Sequence, residues 1–172
     1  MRCYNSTEGV IMGYTTYFSG KINVVPPASD ELKNYINTLS LTRRMKRDVN
    51  KLIAMYGTEY GYNGTYGEEG EFFAKDDGQY GQSNDDSIIN YNHQPYTQHS
   101  LWLDWTITDD GKAIEWNGNE KFYSAEEWMR YVIDSFLAPN GHVCNGRIHA
   151  EGEDRDDVWD LVVNNNTVTR ED

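Results

Sequence analysis

A chain of 172 residues with a formal net charge of −13 and 13% aromatic residues is long enough to bury a core without cross-links. No apolar run approaches the roughly 18 residues that a membrane-spanning helix requires. Two cysteines, Cys3 and Cys144, are too few for a disulfide framework, and the first dozen residues carry no hydrophobic signal core, so a cytoplasmic setting without membrane association is expected.

Residues 1–12 read as a disordered leader ahead of one α+β domain spanning 13–172. Tyr14 to Val25 is rich in β-formers and ends at Pro26-Pro27, which predicts a strand. Ser29 is a suitable N-cap, and Asp30 and Glu31 follow in the first turn, where the helix dipole favours anions. Leu32, Tyr35, Ile36 and Leu39 then recur at helical spacing. Asp48 predicts a second N-cap, with Val49, Leu52, Ile53 and Tyr56 on one face and Gly57 as the stop.

From Gly57 to Gln98 glycine and tyrosine alternate with polar residues, which predicts a long loop of functional or disordered character. Within it Glu71–Ala74 suggests a short strand and Ser87-Ile88-Ile89 a single turn. Leu101 to Ile107 predicts the next strand. Asp110-Gly111 marks a two-residue hairpin turn, with Lys112 to Trp116 returning. Asn117-Gly118 is a further turn. Ser124 and Glu127 have capping-box spacing ahead of an apolar stripe of Trp128, Met129, Val132, Ile133, Phe136 and Leu137, ended by Pro139 and Gly141. His142–Glu151 and Val158–Val163 form a strand pair, and Thr167-Val168-Thr169 adds an edge. This order predicts an antiparallel sheet of about five strands, two to three helices packed on one face, and the long Tyr/Gly-rich loop.

The charge is uneven. Residues 1–58 carry eight Lys/Arg and four Asp/Glu, whereas residues 59–160 carry six and 22. Such an acidic stretch repels nucleic acid and anionic membranes, and attracts basic protein surfaces. Against it, the run Arg43-Arg44-Met45-Lys46-Arg47 places four cations in five residues. Arginine forks pair bidentately with phosphate oxygens, so Arg43, Arg44, Lys46 and Arg47 form a candidate ligand-binding set. Trp102, Lys121 and Tyr123 are the rings and cation that could stack and hold a base or ribose. The competing reading makes the run a solvated helix end and the tryptophans core.

Tyrosine with glycine and asparagine suits an adaptable binding surface, which makes Tyr80, Asp85, Asp86, Tyr91 and Tyr96 candidates for a protein partner. His142 and Cys144, two apart in a strand, share a face as a structural pair, a thiolate-imidazole pair or half of a metal site. No zinc or calcium-loop spacing occurs, and no cofactor is expected. Carboxylate pairs such as Asp104 with Glu115, or Glu120 nearby, keep hydrolysis open as a weaker alternative.

The segments Thr42–Asp48, Asp85–Asn92 through Pro95 and Gln98 to Leu101-Trp102, Asp110-Gly111, Ile114-Glu115-Trp116, Gly118, Glu120–Tyr123, Glu127-Trp128, Phe136-Leu137, Pro139, Asn145-Gly146 and Gly152–Asp154 resemble a family of small phage and bacterial proteins. Val49 stands where similar sequences have proline. The resemblance implies a phage setting and brings no activity. By analogy, counter-defence follows: a non-enzymatic protein that captures an anionic, nucleotide-like signal, or an acidic inhibitor that docks on a basic, nucleic-acid-binding host protein.

Overall fold

The computed structural model describes residues 4–5, 11–78 and 82–172, and it is an α+β protein. The expected leader lies mostly outside the described residues. Its described parts, β1 (Tyr4–Asn5) and β2 (Ile11–Met12), pair antiparallel. The remainder groups into two compact units. One comprises residues up to Lys33 together with Asp104–Asp172, and the other comprises Asn34–Leu103.

The first unit is built on a six-stranded antiparallel sheet, one strand more than the sequence suggests. Its strands are β3 (Thr16–Val25), β6 (Trp105–Ile107), β7 (Ala113–Trp116), β8 (Val143–Gly152), β9 (Val158–Asn164) and β10 (Thr167–Glu171). They lie in the order β10-β9-β8-β3-β7-β6. The period-2 alternation of β3 sends Phe18, Ile22 and Val24 to the buried face. Their register partners on β8, Ala150, Gly146 and Cys144, belong to the same face. On that face Phe18 packs edge-on against Trp105, Phe122 and Trp159 at centroid distances of 5.2, 5.8 and 6.0 Å.

Helix α3 (Ala125–Val132) packs against both edge strands, β6 and β10. Its carbonyl at Ala125 accepts from Trp105 Nε1 at 2.8 Å, and Arg130 donates to Val168 O at 3.1 Å. The predicted stripe of Trp128, Met129, Val132, Ile133, Phe136 and Leu137 is wholly buried. Its second half, Ile133–Leu137, is π-helical rather than α-helical. The capping box does not form. Ser124 has a left-handed backbone (φ +58°), whereas a side-chain N-cap needs an extended one, and its hydroxyl makes no capping bond.

The turn at Asp110-Gly111 is real but longer than two residues. Asp110 Oδ1 accepts from Thr108 Oγ1 (2.7 Å) and Lys112 N (3.0 Å), and Ala28 N donates to Gly111 O. A Cβ at Gly111 would stand 2.5 Å from Ala28 O, so this close approach, with φ +73°, requires glycine.

The second unit holds most of α1 (Asp30–Ser40), then β4 (Lys46–Arg47), α2 (Val49–Tyr56) and β5 (Ile88–Asn90). Both helices start as expected. Ser29 Oγ accepts from Leu32 N at 3.2 Å, and Asp48 Oδ1 from Lys51 N at 3.1 Å. Ile53, placed by periodicity on the inner face of α2, is exposed, and Leu52 is the helix's buried residue. Ser87–Ile89 is not an isolated turn: Ile88 to Asn90 pairs with β4. Glu71–Ala74 is not a strand.

The Tyr/Gly-rich stretch is more than a loop, because it supplies core. Tyr66 and Phe73 are buried with Leu52, and Val49, Tyr56 and Tyr60 pack around them. Asn63-Gly64 closes a tight turn in which Tyr62 and Thr65 exchange backbone hydrogen bonds.

Candidate functional site

The basic run leads out of α1 and through β4, and its cations do not converge. Arg43 stacks on the Tyr91 ring at 4.5 Å and donates to Tyr91 O at 3.1 Å. Arg44, 1% exposed, donates to Phe73 O. Lys46 pairs with Glu69 at 3.4 Å. Arg47, 3% exposed, donates to Asp85 Oδ2 (3.1 Å) and Ser87 Oγ (2.8 Å) and lies 4.3 Å over the Phe73 ring. Burial pulls the Arg47 pKa below its ordinary value, with Asp85 opposing the shift. Gly70 permits this packing, since a Cβ there would meet Arg47 Cβ at 2.8 Å.

Within the run, Lys46 and Arg47 line separate cavities, and the one at Arg47 could receive an anionic ligand. That cavity, of about 240 Å³, is lined by Arg47, Tyr56, Phe73, Lys75, Asp77 and Asp85, with Ser83 and Asn84. Lys75 also lines a second cavity of about 340 Å³, with Tyr35, Tyr60, Asn34, Thr38, Glu59 and Asp76 among its walls. The Lys75 ammonium stands 5.7 Å from the centre of the Tyr56 ring and 5.5 Å from that of Tyr60. Among the described residues no carboxylate pairs with it. Arg47 Nε is buried and makes no hydrogen bond to a described residue. Lys75, Tyr56 and Phe73 were not singled out from sequence as site residues. The signal was present: Lys75 is the one Lys or Arg between Lys51 and Lys112.

The other expected ligand residues lie elsewhere. Trp102 is half-buried in the second unit and its carbonyl accepts from Ser100 Oγ. Lys121 and Tyr123 belong to the first unit, where the exposed Lys121 side chain runs past Gly13. Of the expected partner-binding residues, Tyr80 lies outside the described residues. Asp85 is turned inward, and Tyr91 lies beneath Arg43. Asp86 and Tyr96 remain exposed, Tyr96 at 72%.

Asp85 and two of the three carboxylates considered for catalysis, Asp104 and Glu115, have polar partners. Burial raises the Asp85 pKa, but donors from Ser87 and the Arg47 charge outweigh it and leave the value lowered. Asp104 is 2% exposed, and its Oδ1 accepts from Asn117 Nδ2 (3.0 Å) and Asn119 Nδ2 (3.3 Å). Burial raises its pKa despite those donors. Glu115 pairs with Lys21, and Glu120 is exposed.

His142 and Cys144 are both buried. His142 Nδ1 bonds to Pro26 O, and burial pushes the Cys144 thiol up to about 11, which leaves it protonated near neutral pH. Among the described residues there is no group of three His, Cys, Asp or Glu fit to hold a metal ion. Among the described residues, no helix is long and apolar enough to cross a membrane.

No family model, no curated protein and no solved structure matches this chain.

Proposed function

We propose that this chain is a non-enzymatic binding protein for a small, singly charged, ring-bearing anion of nucleotide-like chemistry, held at Lys75. The observation that carries this reading is an ammonium group with no carboxylate partner among the described residues, set beside two adjacent tyrosine rings on a wall shared by two cavities. Lys51 and Lys121 likewise make no ion pair with a described carboxylate, and Lys75 differs from them in lining the two cavities.

Size and charge narrow the ligand. Drug-sized molecules occupy pockets of roughly 300–1,000 Å³, so cavities of about 240 and 340 Å³ suit a mononucleotide and not a dinucleotide. Asp77 and Asp85 on one wall and Glu59 and Asp76 on the other oppose a second negative charge. A phosphodiester such as a cyclic mononucleotide, with one charge and one base, therefore fits better than a nucleoside di- or triphosphate. In the phage setting implied by the resemblance, such a ligand would be a host signal.

Calorimetry with cyclic and linear mono- and dinucleotides tests this. A cyclic mononucleotide should bind with a Kd on the order of 1–100 μM. Lys75→Gln should weaken it by about 1.5–3 kcal/mol, the range for a hydrogen bond to a charged group, without lowering Tm. Absence of heat with every member of the panel, or unchanged affinity in folded Lys75→Gln, would sink the proposal.

A further inference from the structure

A third cavity, of about 390 Å³, lies in the second unit and takes no part in the site at Lys75. Its walls are Lys46 from β4, Asn90 from β5, and His93, Gln94, Tyr96 and Gln98 from the segment that follows.

Its frame is fixed by the backbone. Lys46 N donates to His93 O at 2.9 Å, and Gln98 N donates to Pro95 O at 2.9 Å. Glu69 ties two walls together, its Oε1 lying 3.4 Å from Lys46 Nζ and its Oε2 accepting from Tyr96 N at 2.8 Å. The charge of Lys46 is thereby balanced, so the cavity does not select an ion. It carries three amide side chains, which both donate and accept. Asn90 Oδ1 is already taken by Asn92 N, which leaves its amide nitrogen to donate. Gln98 is 4% exposed, and its Oε1 lacks a hydrogen-bond partner among the described residues. Tyr96 lines the same cavity, and most of its surface is in water.

We infer that this cavity is a binding site for a neutral polyol, a single pyranose sugar unit. A pyranose carries hydroxyls around its perimeter, each a donor and an acceptor, and has one face of C–H groups that covers an aromatic ring. Polar groups spread around a neutral cavity match the hydroxyls, and the exposed Tyr96 ring matches the C–H face. A nucleobase presents its polar atoms along one plane and leaves most of these groups unused. An anion gains nothing from a lysine already paired with Glu69.

The test is side-chain amide NMR on the whole chain, titrated to 50 mM with methyl glycosides of glucose, galactose, mannose and N-acetylglucosamine, with adenosine as the control. At least one glycoside should shift the Asn90, Gln94 and Gln98 amide resonances with a millimolar Kd, and adenosine should not. Tyr96→Ala should weaken that glycoside at least tenfold. Because the Tyr96 ring is exposed and its backbone N–H still reaches Glu69, this variant should keep the wild-type spectrum elsewhere. Overturning results are no amide shift with any glycoside, shifts with adenosine instead, or undiminished binding in Tyr96→Ala. Loss of nucleotide binding at Lys75 bears on none of these outcomes.

Discussion

Asp85 and Asp104 are carboxylates drawn out of water whose pKa values move in opposite directions, and the difference lies in their donors. Asp85 receives hydrogen bonds from Ser87 and a charged one from Arg47, whereas Asp104 receives neutral amides alone. Asp85 therefore contributes stability that is present above about pH 4 and is lost as pH falls through its lowered folded pKa. For Asp104 the sign reverses. Its folded pKa is raised, so the native state binds the extra proton, and stability falls as pH rises from about 4 through the raised value. Asp104→Asn keeps an acceptor for Asn117 and Asn119 and removes the buried charge. Urea denaturation at a series of pH values should show that this variant loses the downward slope and is no less stable than wild type at pH 7. Asp104→Ala, which leaves two amides without their acceptor, should cost about 1–3 kcal/mol. An Asn variant less stable than the Ala variant at pH 7 would reverse the argument.

At the scale of elements, the two-residue turn between β9 and β10 does more than reverse the chain. Asn165 and Asn166 both have positive φ, as such a hairpin turn requires. The Asn166 side chain reaches back to the start of β8, accepting from Cys144 N at 2.6 Å and donating to His142 O at 3.0 Å. It thus continues the ladder one step beyond the last residue of β9 that pairs with β8, Val163. Asn166→Gly suits the backbone but removes both bonds, and Asn166→Asp removes the donor alone. Thermal or urea unfolding should show a loss of about 1–3 kcal/mol for the glycine variant at 0.5–1.5 per bond, with the aspartate variant also destabilised. Equal stability of all three proteins would remove the proposed role.

The same scale shows what was legible in the sequence. Strands β3, β8, β9 and β10 and all three helices were, because alternation and the i, i+3, i+4 stripe reflect burial directly. The unit formed by Asn34–Leu103 was not. Its core comes from tyrosine and phenylalanine spaced by glycines, which obeys neither period. Pairing of β4 with β5 joins residues about 40 apart, a contact that no local pattern encodes. Asn63-Gly64 is a local hairpin signal in this unit and matches the tight turn between Tyr62 and Thr65. The basic run was visible, but its arginines are distributed among Tyr91, Phe73 and Asp85, and nothing local distinguishes a cation that serves packing from one that faces a cavity.

For the whole molecule, the acidic charge divides unequally. The unit of residues up to Lys33 with Asp104–Asp172 contains nine Lys/Arg and 19 Asp/Glu, a balance of −10. Asn34–Leu103 contains six and nine, a balance of −3, so all three cavities described here lie in the less repulsive half for an approaching anion. The sheet half has its own reporter. Cys144 is fully buried on the inner face of β8, protonated, with β3 on one side and the Asn165-Asn166 turn on the other. A chromogenic disulfide reagent can reach its sulfur only when the ladder parts. In a Cys3→Ser background at pH 8, labelling should be negligible over minutes and should accelerate with urea in proportion to the open population. Prompt labelling of the native protein would place Cys144 in a region that opens far below the global unfolding free energy. A single sulfur atom thereby becomes a clock for how often the sheet comes apart, readable at one wavelength and without any change to its strands.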